Sequence, residues 1–488
     1  MPSRFNPLNH TFALTVLMAT LSAVMLCSCV NVPAEPHAVA VPDASTAELP
    51  ADIRQAGNNA WPADRWWTRY GDAQLDALVD RALQASPSLS AAAARVDAAQ
   101  SALVVTRAAA GAETGVAADV NRQRYSANGL FPEPIGGGTF NDFSVKLQAR
   151  YDFDVWGRNR AQVAAAAGEE FARKAEAAQV REKLAGSVAR SYFELQSQWA
   201  LAANLREQAA AQQTLIDDKA RRVARGLSSA DEPRAEAAKL ADLRARIAEA
   251  EAAATGQREA LRALLGHGED ALAALQARPL PAAQATLPAH LGYELLARRP
   301  DLQAARWRVE ASMNRVDAAQ AAFYPDINLA GSLGLDSLTL PNLLKTASRT
   351  FFVGPTLALP LFSTGTLKGQ LGQTRSARDE LIADYDQRVL DAVRDVAQAA
   401  AALQGLSAQA AQQHEASTLL DAQQRSAQAR QRQGLADRAT TVQADLAVLR
   451  ERQAELQLDR QRLQTEVALT QALGGGFHAE ASATISRN

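Results

Sequence analysis

The chain has 488 residues, room for two or three ordinary domains, and its 51 basic residues nearly balance 53 acidic ones. That balance excludes a nucleic-acid binder, which needs a basic face. Hydrophobic residues make up 47% but aromatics only 5%, and an Ala-, Gln-, Arg- and Glu-rich chain of this kind suits long, closely packed helices better than a thick globular core. Both cysteines, Cys27 and Cys29, sit near the N-terminus, so the rest of the chain holds no disulfide framework and no cysteine metal site. The histidines, His10, His37, His267, His290, His414 and His478, are scattered, none at metal-ligand spacing. No cofactor is expected.

Residues 1–28 read as an export signal. Arg4 and His10 precede an apolar run, Phe12 to Leu26, too short and poorly flanked for a membrane helix. Its end, Leu26-Cys27-Ser28-Cys29, resembles a bacterial lipobox. Cys29 fits as the lipidated residue better than Cys27, because small Ser28 precedes it. Val30 rather than Asp follows, which points to the outer membrane. Residues 29–60, with Pro33, Pro36, Pro42 and Pro50, read as an extended, lipid-anchored linker. Trp61-Pro62, Trp66-Trp67 and Tyr70-Gly71-Asp72 then open a short helix.

From there the chain runs twice through helix, strand, loop, strand, very long helix, break and long helix. The repeats are expected at 61–266 and 299–476, with an inter-repeat segment at 267–298 and a tail at 477–488. Ser86-Pro87-Ser88-Leu89 overlays Arg299-Pro300-Asp301-Leu302, and the repeats end alike at Leu264-Leu265-Gly266 and Ala472-Leu473-Gly474. Strands are expected at about 114–124, 142–156, 326–336 and 351–362. The clearest is Phe143–Trp156: Phe143, Val145, Leu147, Ala149, Tyr151, Phe153 and Val155 alternate with Ser144, Lys146, Gln148, Arg150, Asp152 and Asp154. Such alternation gives one apolar and one polar face. Each strand is about the length of a tilted membrane crossing, roughly 9–11 residues.

The long helices are expected at about 158–225, 228–265, 366–433 and 436–473. Inside Arg158–Arg225 there is no proline, and roughly 70 residues at about 1.5 Å each make a rod of roughly 100 Å. Leu240, Leu243, Ile247, Ala250, Ala254 and Leu261 step by three and four, and Val442, Leu449, Leu456 and Leu463 by seven. That spacing favours coiled packing. The rods turn at Arg225-Gly226-Leu227 and Gln433-Gly434-Leu435, so each repeat carries a hairpin with an exposed tip.

Four strands cannot close a barrel, which needs about eight to leave no raw edge in lipid. Two copies would give eight strands filled by side chains. Three would give twelve, around a water-filled lumen lined by Lys146, Gln148, Arg150, Asp152, Asn328 and Ser332. The alternative of another class is an exported coiled-coil structural scaffold whose strands pack in a soluble sandwich. It requires the odd positions of Phe143–Val155 to be covered within one chain. No hydrolase elbow or phosphate-cradling loop is present, and no enzymatic activity is expected.

Asp152-Phe153-Asp154-Val155-Trp156-Gly157-Arg158, Arg299-Pro300-Asp301-Leu302, Ala321-Ala322-Phe323-Tyr324-Pro325-Asp326-Ile327, Pro360-Leu361-Phe362 and Ala472-Leu473-Gly474-Gly475-Gly476 together resemble the outer-membrane factor family, the TolC/OprM/NodT-type efflux channels. The resemblance covers roughly residues 61–476. It implies an α+β membrane protein: long antiparallel coiled helix hairpins forming an α-barrel, and four transmembrane strands per protomer of a trimeric, twelve-stranded β-barrel. It further implies a homotrimer working with a periplasmic adaptor and an inner-membrane pump, often of the resistance-nodulation-division type, to export small molecules or drugs. Type I protein secretion is the alternative traffic, which the lipobox and NodT-like motifs disfavour.

By the same resemblance the hairpin tips meet the adaptor, here Arg225, Gly226, Leu227 and Ser228 with Gln433, Gly434 and Leu435. Lipoprotein channels of the family narrow the bore with a Leu and an Asp four residues apart on the second hairpin. Ala439 and Gln443 stand at the matching positions, a departure from the pattern. The first hairpin keeps acids there, Asp231 and Glu232, expected to form an acidic ring at the periplasmic gate.

Overall fold

The computed structural model describes residues 32–35, 39–40, 61–266, 272–284, 295, 297–360 and 363–478. The signal peptide, both cysteines, most of the linker and the end of the tail lie outside them, as do Leu361 and Phe362. The chain forms two compact units, each assembled from noncontiguous stretches of sequence.

The first unit comprises residues 1–40, 100–168 and 309–382. Its centre is one antiparallel sheet of β1 (Glu113–Arg124), β2 (Thr139–Asp152), β3 (Asp326–Ser337) and β4 (Arg349–Ala358), in the order β1-β2-β3-β4. The register runs unbroken from Glu113 opposite Arg150 to Arg124 opposite Thr139, and from Phe143 opposite Ser337 to Asp152 opposite Asn328. With no bulge, alternation holds across all four strands.

Two strand ends differ from expectation. β2 stops at Asp152, short of Trp156, because Asp154 adopts a left-handed φ of 44°. Its carboxylate instead accepts from Asn159 N at 2.8 Å and Arg160 N at 2.9 Å, capping the orphan donors at the start of the next long helix. Asp154 therefore leaves the polar face of the strand. β4 ends at Ala358, two residues before Pro360, which has no donor for a ladder. The β3–β4 connection contains two single 3-10 turns, Leu340–Asn342 and Thr346–Ser348.

Beside the sheet, Val316, Phe323 and Leu371 form a small core against which Val32 packs. Arg375 donates to the Pro33 carbonyl at 3.0 Å, and Arg378 pairs with Glu35. These contacts fasten residues 32–35, and hydrogen bonding from Arg378 holds the Glu35 carboxyl below its usual range.

The second unit comprises residues 41–99, 169–308 and 383–488. In chain order the helices are α1 (Ala73–Ala85), α2 (Pro87–Ala109), α3 (Arg158–Ala224), α4 (Asp231–Leu265), α5 (Pro300–Ala321), α6 (Thr364–Arg432) and α7 (Arg438–Ala472). α2, α3, α5 and α6 each contribute to both units. The core of the second unit gathers Trp66, Trp67 and Tyr70 with Leu75 and Val79 of α1, Tyr192 and Phe193 of α3, Leu261 and Leu265 of α4, and Leu463 and Val467 of α7. The Trp66 and Trp67 rings meet edge to face at 5.8 Å. Farther along α3, Leu205 packs with Leu243 and Ala250, and Leu215 with Ala439, Val442 and Leu446. The expected stripes on α4 and α7 thus face α3.

The hairpin turns are built alike. Leu227 N donates to Arg222 O at 3.0 Å and Gly226 N to Val223 O at 2.9 Å. In the second hairpin Leu435 N donates to Arg430 O at 2.8 Å and Gly434 N to Gln431 O at 3.0 Å. Both glycines sit at φ 72°, the left-handed residue of a Schellman cap. Asp437 then caps α7 by accepting from Thr440 N at 2.8 Å.

Candidate functional site

The sheet has two unlike faces. On one lie Val116, Ala118 and Val120 of β1, Val145, Leu147 and Tyr151 of β2, Leu329 and Leu333 of β3, and Phe351, Val353 and Leu357 of β4. Leu147 is 52% exposed, Leu333 62% and Phe351 84%. A soluble sandwich would cover these side chains; here they stand uncovered among the described residues. The apolar face is a patch of the kind that seeks lipid or a partner.

The other face carries every residue expected in the lumen. Lys146 lies opposite Gly334, Gln148 opposite Ser332, Arg150 opposite Ala330, and Asp152 opposite Asn328. Lys146 reaches past Gly334 to Asp336 at 3.1 Å. Any Cβ at 334 would stand 2.3 Å from the Val145 carbonyl, so glycine leaves the lane that Lys146 uses. Arg150 is also opposite Glu113 of β1. Among strand residues of this face, Glu113, Asp119, Asp142, Asp152, Asp326 and Asp336 outnumber Lys146 and Arg150. The face is polar and acidic.

At the helix-bearing end of the sheet, Trp156 donates from Nε1 to the Pro325 carbonyl at 2.8 Å and stacks on Tyr324 at 4.7 Å. A stacked aromatic pair whose indole N–H is satisfied suits the boundary between lipid and water.

At the hairpin tips, Leu227 is 66% and Leu435 73% exposed. A Schellman turn commonly covers the apolar side chain that follows its glycine. These two are left bare.

The gate candidates divide. Asp231 is exposed and pairs within its own helix with Arg234 at 3.1 Å. Glu232 lies 3.9 Å from Lys219 of α3. Gln443 is exposed. Ala439, by contrast, is only 9% exposed and packs on Leu215 of the other hairpin, so its side chain does not line an open surface.

The acid that organises this end is one the gate pattern passes over, Glu236. It is buried, bonded to Lys219 at 2.8 Å, Lys239 at 3.0 Å and Gln212 Nε2 at 2.7 Å. Burial raises its pKa, but hydrogen bonds from Lys219, Gln212 and Lys239 outweigh that and bring it down to about 2. Its signal is in the sequence: Glu236 falls four residues before Leu240, on the buried stripe. Arg222 of α3 reaches Asp437 at 3.2 Å, tying one hairpin to the cap of the other.

Glu466 and Glu182 are also buried in the second unit. Glu466 meets Arg69 at 2.9 Å and accepts from Gln284 N at 2.8 Å, and burial raises its pKa. Burial pushes Glu182 up to about 8. Among the described residues no helix is long and apolar enough to cross a membrane.

A sheet with an uncovered apolar face and a polar one, in a chain that also forms long helix hairpins, is what a protomer of an outer-membrane channel requires. The family profile described as "Outer membrane efflux protein" matches residues 78–267 and 291–475, and the chain belongs to that family. It is 36% identical over 484 residues to "Multidrug resistance outer membrane protein MdtP" of Escherichia coli (strain K12), covering 97% of this chain and 98% of that protein. It is also 36% identical over 441 residues to "Multidrug resistance outer membrane protein MdtQ" of Escherichia coli O6:H1, covering 88% and 92% of the two chains. Among solved structures, the outer membrane protein VceC of Vibrio cholerae superposes with a TM-score of 0.77 at 31% identity, covering 86% of this chain and all of that one. The protein is thus an outer-membrane efflux channel component whose barrel strands lie in the outer membrane.

Proposed function

We propose that three copies close their four-stranded sheets into one twelve-stranded barrel, and that the assembled channel passes small molecules, drugs among them, from a periplasmic adaptor and an inner-membrane pump to the exterior. One observation carries the reading. The sheet pairs an uncovered apolar face with an acidic one, and among the described residues its edges, β1 and β4, have no further strand beside them. Such edges are tolerated in lipid only where another strand satisfies them. The multidrug names of the relatives support the cargo class. The pump supplies the energy, and this subunit catalyses nothing.

The bare Leu227 and Leu435, held on two matching turns, are the adaptor contacts in this reading, with Arg225, Ser228 and Gln433 around them. Asp231 and Glu232 face the periplasmic entrance as an acidic ring, while Glu236 locks α4 to α3 behind it. Cys29 carries the lipid anchor.

The test is export in a strain lacking the gene. Restoring the chain should restore drug tolerance, and Leu227→Asp with Leu435→Asp should abolish it while leaving single-channel conductance in planar bilayers intact. Loss of conductance along with tolerance would refute the assignment of the tips. Failure of the unaltered protein to conduct at all would refute the channel.

A further inference from the structure

The outward face of the sheet is apolar except at one end. On that face the charged strand residues are Arg122 and Arg124 at the end of β1 and Arg349 at the start of β4. All are arginines, and all adjoin the β1–β2 or β3–β4 connection, away from the helices. Every acid of the four strands lies on the other face. The acids are thus confined to one face, whereas the bases divide between the two, Lys146 and Arg150 among the acids and the three arginines alone on the apolar side.

The arginines are exposed. Among the described residues none of them forms an ion pair, whereas Lys146 on the polar face has Asp336 at 3.1 Å. An unpaired guanidinium on a lipid-facing strand is costly at mid-membrane and nearly free at the interface. Its position at the loop end puts it where headgroups are. Arg122 and Arg124, two residues apart on one strand, stand roughly 7 Å apart. Val120 and Phe351 continue the same face below them toward the acyl region. β1 and β4 are the two edges of the sheet, so barrel closure sets the Arg349 edge of one copy beside the Arg122–Arg124 edge of the next.

We infer that Arg122 and Arg124 of one copy, with Arg349 of its neighbour, form a binding site on the outside of the barrel for the phosphorylated headgroup of an outer-leaflet lipid, seated across the seam between protomers. The planar fork of each guanidinium matches phosphate oxygens in a bidentate fashion, which a lysine cannot reproduce. Three such sites would stitch the three seams of the barrel with lipid. The inference rests on the barrel reading above, which sets the loops outside the cell and closes β1 on β4.

The experiment uses the full-length channel, purified in mild detergent and offered phosphorylated outer-membrane glycolipid, with retained lipid read by native mass spectrometry. Each change among Arg122→Gln, Arg124→Gln and Arg349→Gln should lower retention about fivefold, and the triple variant on the order of a hundredfold. Replacement of all three by Lys should recover only part of it. Arg150→Gln, which removes a like charge from the lumen face, should change nothing. Conductance of the same preparations separates the two readings. A conducting triple variant that retains glycolipid as the unaltered protein does overturns the site and leaves the channel standing. Retention of free inorganic phosphate or neutral lipid with equal strength also overturns it. A triple variant that does not assemble is replaced by the three single variants, where equal retention in all of them counts against the site.

Discussion

Leu333→Arg is the substitution that most sharply separates a lipid-facing sheet from a soluble one. Leu333 lies at the middle of β3, opposite Leu147 on one side and Phe351 on the other, and 62% of its surface is uncovered. In water an exposed Leu→Arg change costs little. At the mid-depth of a bilayer it costs about 2–4 kcal/mol, or a factor of about 30 to 1000 in the folding equilibrium, and it acts once per copy. Ser332→Arg, one residue away on the other face, puts the same charge into the acidic lumen and should be nearly neutral. The assay is the folded, membrane-inserted fraction after refolding into vesicles across a urea series. Leu333→Arg should shift the midpoint strongly and Ser332→Arg only slightly. Equal midpoints for the two, or an unaltered chain that stays soluble and monomeric without detergent, would refute the face assignment.

The buried carboxyls predict opposite pH dependences. Glu236 has a folded pKa near 2, below its ordinary value, so its contribution is present above about pH 4.5 and is lost as pH falls toward 2. Glu236→Gln should cost on the order of 3 kcal/mol at neutral pH and almost nothing at pH 2, read as urea midpoints. Glu182 is pushed up to about 8; its contribution is present below about pH 4.5 and is lost as pH rises to 8, so Glu182→Gln should gain on the unaltered protein from pH 5 to pH 9. Gly226→Ala puts a Cβ on a residue at φ 72° with no atom within 4 Å. The cost is backbone strain alone, about 1–2 kcal/mol, and should appear as faster hydrogen exchange at the first hairpin tip with the second unchanged. For the proposed acidic ring, Glu232→Gln should reduce cation preference in single-channel recordings, and no change would remove it from the gate.

The periodic features were legible in the sequence because the physics that builds them is local. Alternation at Phe143–Asp152 and three-four stepping from Leu240 to Leu261 follow from side-chain direction along a strand or a helix. Gly226 and Gly434 announced their turns because a left-handed residue is nearly always glycine. What was not legible depends on partners distant in sequence. Asp154 continued the polar alternation yet turned out to cap α3, since the donors at Asn159 and Arg160 compete for it. Glu236 reads as one acid among many until Lys219 arrives from the facing helix. Ala439 matched a gate position by alignment but is taken up by Leu215. The segregation of Arg122, Arg124 and Arg349 from the acids emerges only when the register aligns four strands.

Closure by exactly three copies can be read from cross-links between sheet edges. Within one chain β1 and β4 are three strand spacings apart, about 14 Å, beyond the roughly 7 Å that a disulfide spans. Cysteines placed along β1 from Val116 to Val120 and along β4 from Phe351 to Pro355, in a chain with Cys27 replaced, should therefore join only neighbouring copies. The account predicts a ladder on a denaturing gel that ends at the covalent trimer; a ladder that ends at the dimer, or a cross-link within a single chain, would contradict it.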